Sequence, residues 1–203
     1  MVTQDHRSGG SRERVIAAAV GMFAENPTAR LSVRAVAARA GVSTGSLRFH
    51  FPTQRALQDA VLARIYDQVS PGDPIHDRSL PARDRLVNCL RQVLAPAGVG
   101  EKARKGWAIA YQKFIAPDPT EEIRAAYLAM EREGWRRVEY WLTVLADEGA
   151  LPDEDHARRV RFLLTVLDGL SIERALPAED SILKAETDTL YMAVDCVLGS
   201  PTP

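Results

Sequence analysis

A short segment between residues 43 and 51 carries side chains that suit contact with a nucleic-acid groove. If Leu47 points toward a protein core, a step of 100° per residue turns Gly45 and Phe49 to the outside. The rest of this outward surface consists of Thr44, Ser46, Arg48 and His50. Small residues allow close backbone approach, hydroxyl groups touch base edges, and cationic groups reach guanine or phosphate. The pattern predicts DNA contact, with Phe49 packed against a sugar or a thymine methyl group.

Two helices separated by a tight turn must position this segment. Ser32 is a suitable N-cap for the first helix, and Gly41 can take the left-handed conformation that ends it. Ser43 then caps the second helix, and Thr53 caps the helix that follows. The small side chain of Ala37 lets the two helices cross closely. These spacings predict a helix-turn-helix.

Helix-forming residues dominate the whole chain, and proline and glycine mark the breaks. We find no convincing run of alternating β-branched residues, so the fold class is predicted to be all-α. About nine helices are expected from the cap and breaker signals. They span 11–25, 32–39, 43–50, 53–69, 80–95, 100–115, 118–148, 154–175 and 178–197. The clearest linker is the loop 70–79, and the first ten residues are expected to be loose.

Charge is distributed unevenly along the chain. Residues 1–58 hold eight arginines and three acidic residues, whereas the remainder holds 18 basic and 24 acidic residues. A basic end suits a polyanion, because cationic groups displace counterions from phosphates. Chance clustering of surface arginines would give the same asymmetry. We predict a DNA-binding domain over residues 1–58 and a ligand-sensing and dimerisation domain over residues 59–203.

Residues 11–58 resemble the DNA-binding head of the TetR family of bacterial regulators. The matching stretches are RVIAAAVGMFAENP, SVRAVAARAGVSTGSL and FHFPTQRAL. Farther along, the segment Leu167–Leu170 resembles a common feature of the family's eighth helix. The resemblance implies an N-terminal three-helix head with a helix-turn-helix and a larger C-terminal helical bundle. It also implies a homodimer that places two heads in successive major grooves of a near-palindromic operator.

The same resemblance implies a set of DNA contacts. They are Ser32, Thr44, Gly45, Ser46, Arg48, Phe49, His50 and Gln54, with Arg34 and Arg55 as weaker phosphate contacts. Two positions depart from the family pattern. Arg48 stands where tyrosine is usual and can still reach phosphate, whereas Gln54 stands where lysine is usual and lacks the charge. Each of these residues could instead be a solvated surface side chain.

Aromatic side chains recur at helical spacing in the larger domain. Candidate ligand-binding residues are Trp107, Tyr111, Phe114, Tyr127, Met130 and Trp141. One interpretation is a cavity for an apolar or aromatic effector. Residue by residue, we favour ordinary core packing. Polar residues that could orient a ligand are Asn88, Gln92, Gln112, Arg136, Arg137, Asp168 and Glu173, and the sequence does not choose among them.

The last two helices carry apolar faces that suit a dimer interface. The candidate residues are Val160, Leu163, Leu164, Leu167, Leu170, Leu190, Val194 and Val197. The alternative is that both faces are buried within one monomer. A dimer is expected because one head with few base contacts would bind DNA too weakly to be specific.

Other function classes find less support. The four histidines are scattered, no nucleophile–base spacing or phosphate-binding glycine loop occurs, and the two cysteines lack a CxxC pattern. We therefore predict no enzyme activity, cofactor, catalytic residue or metal. No apolar run reaches the ~18 residues of a membrane span, and the N-terminus lacks a signal peptide, so a cytoplasmic protein is expected. A repressor is favoured over an activator or a helical interaction protein that does not bind DNA.

Overall fold

The structure is a computed structural model that describes residues 5–26, 31–67, 73–152, 154–177 and 182–199. Over these residues the chain forms nine α-helices and no β-strand, which confirms the all-α class. The helices are α1 (Asp5–Glu25), α2 (Val33–Ala40), α3 (Thr44–His50), α4 (Gln54–Asp67), α5 (Ala82–Leu94), α6 (Glu101–Ala110), α7 (Glu121–Asp147), α8 (His156–Glu173) and α9 (Ile182–Leu198). Short 3-10 turns lie at Pro74–His76 and Ala95–Ala97, and a π-helical turn at Tyr111–Ile115 continues α6.

Three local predictions needed correction. Helix α1 begins at Asp5 rather than at residue 11, so part of the N-terminus expected to be loose is helical. The sixth helix does not stay an α-helix to residue 115, because its last five residues form the π-helical turn. In the expected linker, residues 70–72 lie outside the described residues, but Ile75 is fully buried and the segment around it packs as part of the core.

The chain divides into two compact units, and the first consists of residues 1–68 and 177–188. Within it, α1 packs against α2, α3 and α4. The apolar residues recur along each helix at intervals that place them on one face. The buried side chains on these four helices include Val15, Ile16, Ala19, Phe23, Val36, Ala37, Leu47, Leu57, Val61 and Leu62.

The second unit consists of residues 69–176 and 189–203. Helices α5, α7 and α8 pack against one another at its centre. Their buried residues include Leu86, Cys89, Leu90, Val138, Trp141, Leu142, Leu145, Leu163 and Leu167. Burial raises the pKa of the Cys89 thiol to about 12, so this cysteine is an unreactive apolar residue of the core.

The buried side chain of Arg85 in α5 connects the segment before α5 to the end of α7. The Arg85 side chain is 6% exposed, and its Nη2 donates to Glu148 Oε2 at 2.6 Å. Its Nη1 donates to the backbone carbonyl oxygen of Ile75 at 2.6 Å. Arg78 reaches the same carboxylate at 3.2 Å, but its side chain is 78% exposed. The two arginines share one anionic partner and differ in burial.

Replacing Arg85 with alanine should therefore destabilise the protein far more than replacing Arg78. We expect Arg85→Ala to lower the free energy of unfolding by about 2–4 kcal/mol, because it removes a buried donor from a carboxylate and a carbonyl. Arg78→Ala should change it by less than about 0.5 kcal/mol, as for an exposed ion pair. Urea unfolding followed by circular dichroism measures both, and equal losses would contradict the role assigned to Arg85.

Candidate nucleic-acid interface

A tight turn between α2 and α3 fixes the direction of the second helix. Ser32 caps α2, because its Oγ accepts a hydrogen bond from the N–H of Ala35 at 3.4 Å. At the other end, Gly41 adopts φ +63° and ψ +38°. The N–H of Gly41 donates to the carbonyl oxygen of Ala38, and that of Val42 donates to Ala37. This pair of hydrogen bonds is a Schellman motif, and it confirms that Gly41 ends the helix in a left-handed conformation.

Helix α3 presents one face to the core and the other to solvent. Ser43 caps it by accepting the N–H of Ser46 at 3.0 Å. Leu47 is 1% exposed and is the buried residue of the helix, whereas Phe49 is 78% exposed. Thr44, Gly45 and Arg48 are exposed as well. The predicted orientation, with Leu47 inward and Gly45 and Phe49 outward, is confirmed.

The outward face of α3 continues into a concave surface that it shares with α2 and α4. This surface encloses about 700 Å³. It is lined by Leu31, Ser32, Val33, Arg34, Thr44, Gly45, Arg48 and Gln54. Six of the ten predicted DNA-contact residues are thus brought together. They combine hydroxyl groups, two arginines, an amide and a glycine that leaves room for close approach.

Helix α4 supplies a polar side chain that connects the start of α2 to this surface. Thr53 caps α4 as predicted, because its Oγ1 accepts the N–H of Ala56 at 3.0 Å. Gln54 is the next residue, and its Nε2 donates to the carbonyl oxygen of Leu31 at 2.8 Å. Gln54 therefore has a structural contact that the sequence did not indicate, in addition to its place on the concave surface.

The other predicted contact residues lie in different surroundings. Ser46 and His50 are partly exposed, and the rings of His50 and Phe49 meet edge to face at 5.2 Å. The Nε of Arg55 donates to Asp59 Oδ1 at 2.7 Å, and the Arg55 side chain is only 16% exposed. A guanidinium engaged with a neighbouring carboxylate in this way is poorly placed to take a phosphate.

Helix α1 is tied to the helix-turn-helix by an ion pair. Arg39 of α2 donates from Nη1 to Glu25 Oε2 at 2.7 Å, at the end of α1. The hydrogen bond from Arg39 lowers the pKa of the Glu25 carboxyl. Both groups are solvent-exposed, so the pair orients two helix ends and contributes little to stability.

Comparison with known proteins agrees with this geometry. The family model described as "Bacterial regulatory proteins, tetR family" matches residues 15–61, which cover α2, α3 and most of α1 and α4. The HTH-type transcriptional regulator CymR of Pseudomonas putida is 26% identical over 153 residues, or 75% of this chain and 73% of that protein. Residues 15–61 thus form a DNA-binding helix-turn-helix domain of the TetR type, and these similarities support a transcriptional regulator of that family.

Two solved structures of regulators align with most of the chain. MexZ, a repressor responsible for antibiotic resistance in Pseudomonas aeruginosa, is 22% identical with a TM-score of 0.46, over 94% of this chain and 96% of that one. A TetR-family regulator from Rhodococcus sp. is also 22% identical, with a TM-score of 0.44, over 94% and 99% of the two chains. Regulators of this family are in general non-enzymatic proteins that bind DNA.

The larger unit contains a cavity of about 560 Å³ formed by α5, α7 and α8. Its lining includes Gln92, Val93, Pro96, Tyr127, Met130, Glu131, Glu133, Gly134, Arg137, Arg161, Leu164, Thr165 and Asp168. Gly134 lies among large residues of α7, where a β-carbon would come within 3.6 Å of Leu164. The missing side chain leaves space between α7 and α8.

Only two of the six predicted ligand-binding residues line this cavity. Tyr127 and Met130 do so, and Phe114 meets Tyr127 edge to face at 5.9 Å without reaching the lining. Trp107 and Tyr111 lie elsewhere, and Trp141 is 2% exposed and belongs to the core. Of the polar residues left open by the sequence, Gln92, Arg137 and Asp168 line the cavity. Glu131 and Arg161 also line it and were not named from the sequence, although Glu131 lies four residues after Tyr127 and Arg161 seven residues before Asp168, spacings that keep each pair on one helix face.

The residues of the predicted dimer interface are mostly buried within the single chain. Seven of its eight residues are at most 4% exposed in a single chain and therefore form monomer core. They are Val160, Leu163, Leu167, Leu170, Leu190, Val194 and Val197. The eighth, Leu164, lines the cavity. Burial of both faces within one chain is the alternative that the sequence left open.

Replacing each of two glycines with alanine tests the turn and the exposed face of α3 separately. We expect Gly41→Ala to lower the free energy of unfolding by about 1 kcal/mol, because a β-carbon disfavours the left-handed backbone. Gly45→Ala should instead raise it by about 0.5–1 kcal/mol, since Gly45 is helical and its nearest non-neighbour atom would be 3.8 Å away. Chemical unfolding of both variants checks this, and a stabilising Gly41→Ala would contradict the turn assignment.

Proposed function

We propose that this TetR-family regulator is a ligand-responsive repressor that binds a near-palindromic operator as a homodimer. The observation that carries the proposal is the outward face of α3, where an exposed arginine, glycine and threonine border the concave surface of the head. A recognition helix uses these residue types in a major groove. Residues 1–58 are assigned to DNA binding and residues 59–203 to sensing and dimerisation.

Each contact has a specific role in this proposal. Gly45 lets the backbone of α3 approach the base edges, and Thr44 touches them with its hydroxyl group. Arg48 is exposed, and its Nη1 makes a single long hydrogen bond of 3.4 Å to the carbonyl oxygen of Pro52, which leaves most of its donors for DNA. Ser32, Arg34 and Gln54 bind the phosphate backbone from the opposite wall of the concave surface.

The homodimer is proposed to form through exposed apolar residues of α8 and the end of α9. We name this surface the α8–α9 apolar face, and it consists of Phe162, Gly169, Ile172, Leu176, Met192 and Cys196. Phe162 and Cys196 border one shallow depression, so the two helices contribute neighbouring parts of it. Cys196 is exposed. Grouped apolar side chains exposed on a monomer indicate an interaction surface.

Repression follows from occupancy of the operator. A dimer that fills two successive major grooves excludes polymerase without any further surface. An effector bound in the cavity would favour a conformation of the dimer whose heads no longer match the groove spacing. The effector can lower the affinity for DNA only by the factor by which it binds that conformation more tightly than the DNA-bound conformation.

Arg48→Ala should weaken operator binding and leave the oligomeric state unchanged. The duplex is obtained by genome-wide site selection with the purified protein, and affinity is then measured across salt concentrations. Loss of one phosphate or base contact predicts an affinity about 10–100-fold lower and a salt slope smaller by about one. Arg132→Ala, which removes an exposed arginine from α7, is the matched control and should change neither quantity. Unchanged binding by Arg48→Ala would mean that α3 is not the recognition helix.

A charge on the α8–α9 apolar face should dissociate the dimer. Met192 is 67% exposed in the single chain, and Met192→Asp would bury a carboxylate in the proposed interface. We expect the dissociation constant of the dimer to rise by at least about tenfold in sedimentation equilibrium. Ile109→Asp, at a residue 68% exposed on α6, is the control and should leave the dimer intact. A dimer that tolerates Met192→Asp must use another surface.

A further inference from the structure

The charged groups around the cavity of α5, α7 and α8 are not all paired. Arg161 donates to Glu131 Oε1 at 2.8 Å, and its guanidinium lies 5.1 Å from the ring centre of Trp135. Arg137 donates to Gln92 Oε1 at 3.2 Å and lies 5.5 Å from the ring centre of Trp141. Both cations are thus held by protein groups. Among the lining carboxylates, Glu131 already has a cationic partner.

Asp168 and Glu133, the other two lining carboxylates, lack one among the described residues. Within the described part of the chain, the Asp168 side chain makes neither an ion pair nor a hydrogen bond. Asp168 is solvent-exposed, yet neighbouring groups partly desolvate its carboxyl. This desolvation, together with the charge of Glu131, raises the pKa of Asp168, and Arg161 offsets only part of the effect. A positive charge placed beside Asp168 would relieve this unfavourable environment.

The apolar part of the lining is exposed in the single chain. Tyr127 is 44% exposed and Met130 is 57% exposed, which is unusual for large side chains beside a cavity. Phe114 supports the Tyr127 ring edge to face at 5.9 Å. The face of a tyrosine ring attracts cations, and a methionine side chain adapts to apolar or aromatic surfaces. A volume of about 560 Å³ lies within the range of small-molecule sites.

We propose that this cavity binds an organic cation with an apolar or aromatic body. Its nitrogen lies beside Asp168, and its body packs against Tyr127 and Met130. The inference rests on the proposed function, because it names the chemical class of the effector. Protonated amines and quaternary ammonium ions share this chemistry. An anionic ligand would compete with Glu131 for Arg161 or with the Gln92 amide for Arg137, and it would face the repulsion of Asp168.

Four probes with the same phenylbutyl body test the charge preference. They are 4-phenylbutylamine, 4-phenylbutyltrimethylammonium, 4-phenylbutan-1-ol and 4-phenylbutanoate. Isothermal titration calorimetry of the full-length protein at neutral pH, without DNA, gives each affinity. We expect at least one cation to bind at least about tenfold more tightly than the alcohol and the carboxylate. A preference for the amine alone would indicate hydrogen bonding at the nitrogen, whereas equal binding of both cations would indicate charge recognition. Either result supports the proposal.

Two variants localise the charge. Asp168→Asn keeps the shape of the side chain and should reduce cation affinity about tenfold, with little effect on the alcohol. Asp147→Asn removes the same charge from an exposed position of α7 outside the cavity and should leave all affinities unchanged. Thermal unfolding confirms that both variants are folded.

Several outcomes would overturn the inference: cation binding no stronger than that of the alcohol or carboxylate, no binding of any probe, or full cation affinity in Asp168→Asn. The operator assay keeps this result separate from the proposed function. Specific operator binding without cation binding would contradict only the proposed chemical class of the effector. Cation binding that depends on Asp168 but has no effect on the operator complex would contradict ligand-responsive repression. The same result would still support the cation site.

Discussion

The placement of the outward face of α3 depends on the backbone turn at Gly41. The left-handed conformation there closes α2 and sends the chain directly into α3, while the buried Ala37 allows the neighbouring helix to approach. Once α3 has started in this direction, Leu47 fills the core and the opposite side of the helix faces solvent. The concave surface formed with α2 and α4 is therefore a consequence of one local backbone conformation and one anchoring side chain.

The head could be predicted in detail because its determinants are local. Ser32, Ser43 and Thr53 each bond to a backbone N–H three residues ahead, and Gly41 bonds within its own turn. A signal contained in four or five residues is readable from sequence. The seven-residue α3 has one large buried apolar residue, so its orientation was also determined. The contact of Gln54 with Leu31 spans 23 residues and was not predictable.

The body could be predicted only as a set of helices. Helix α8 carries apolar residues on more than one side, and periodicity identifies such faces without saying which one packs inside the chain. Leu163 and Leu167 are buried, whereas Phe162 and Ile172 remain exposed. The cavity requires three helices to meet, so its polar residues came together only in the folded chain. Asp168 could be named from sequence, but its lack of a cationic partner is a property of the packing.

The π-helical turn at Tyr111–Ile115 also explains why the aromatic side chains of Trp107, Tyr111 and Phe114 do not form one wall of the cavity. Its hydrogen bond runs from the N–H of Ala116 to the carbonyl oxygen of Tyr111, five residues back instead of four. Such a turn is geometrically equivalent to an α-helix that has absorbed one inserted residue. Deletion of one residue here would restore α-helical register and rotate Phe114 relative to Trp107. The non-helical stretch 116–120 before α7 would take up the change in length, so this position can accommodate a variation in chain length that the middle of α7 cannot.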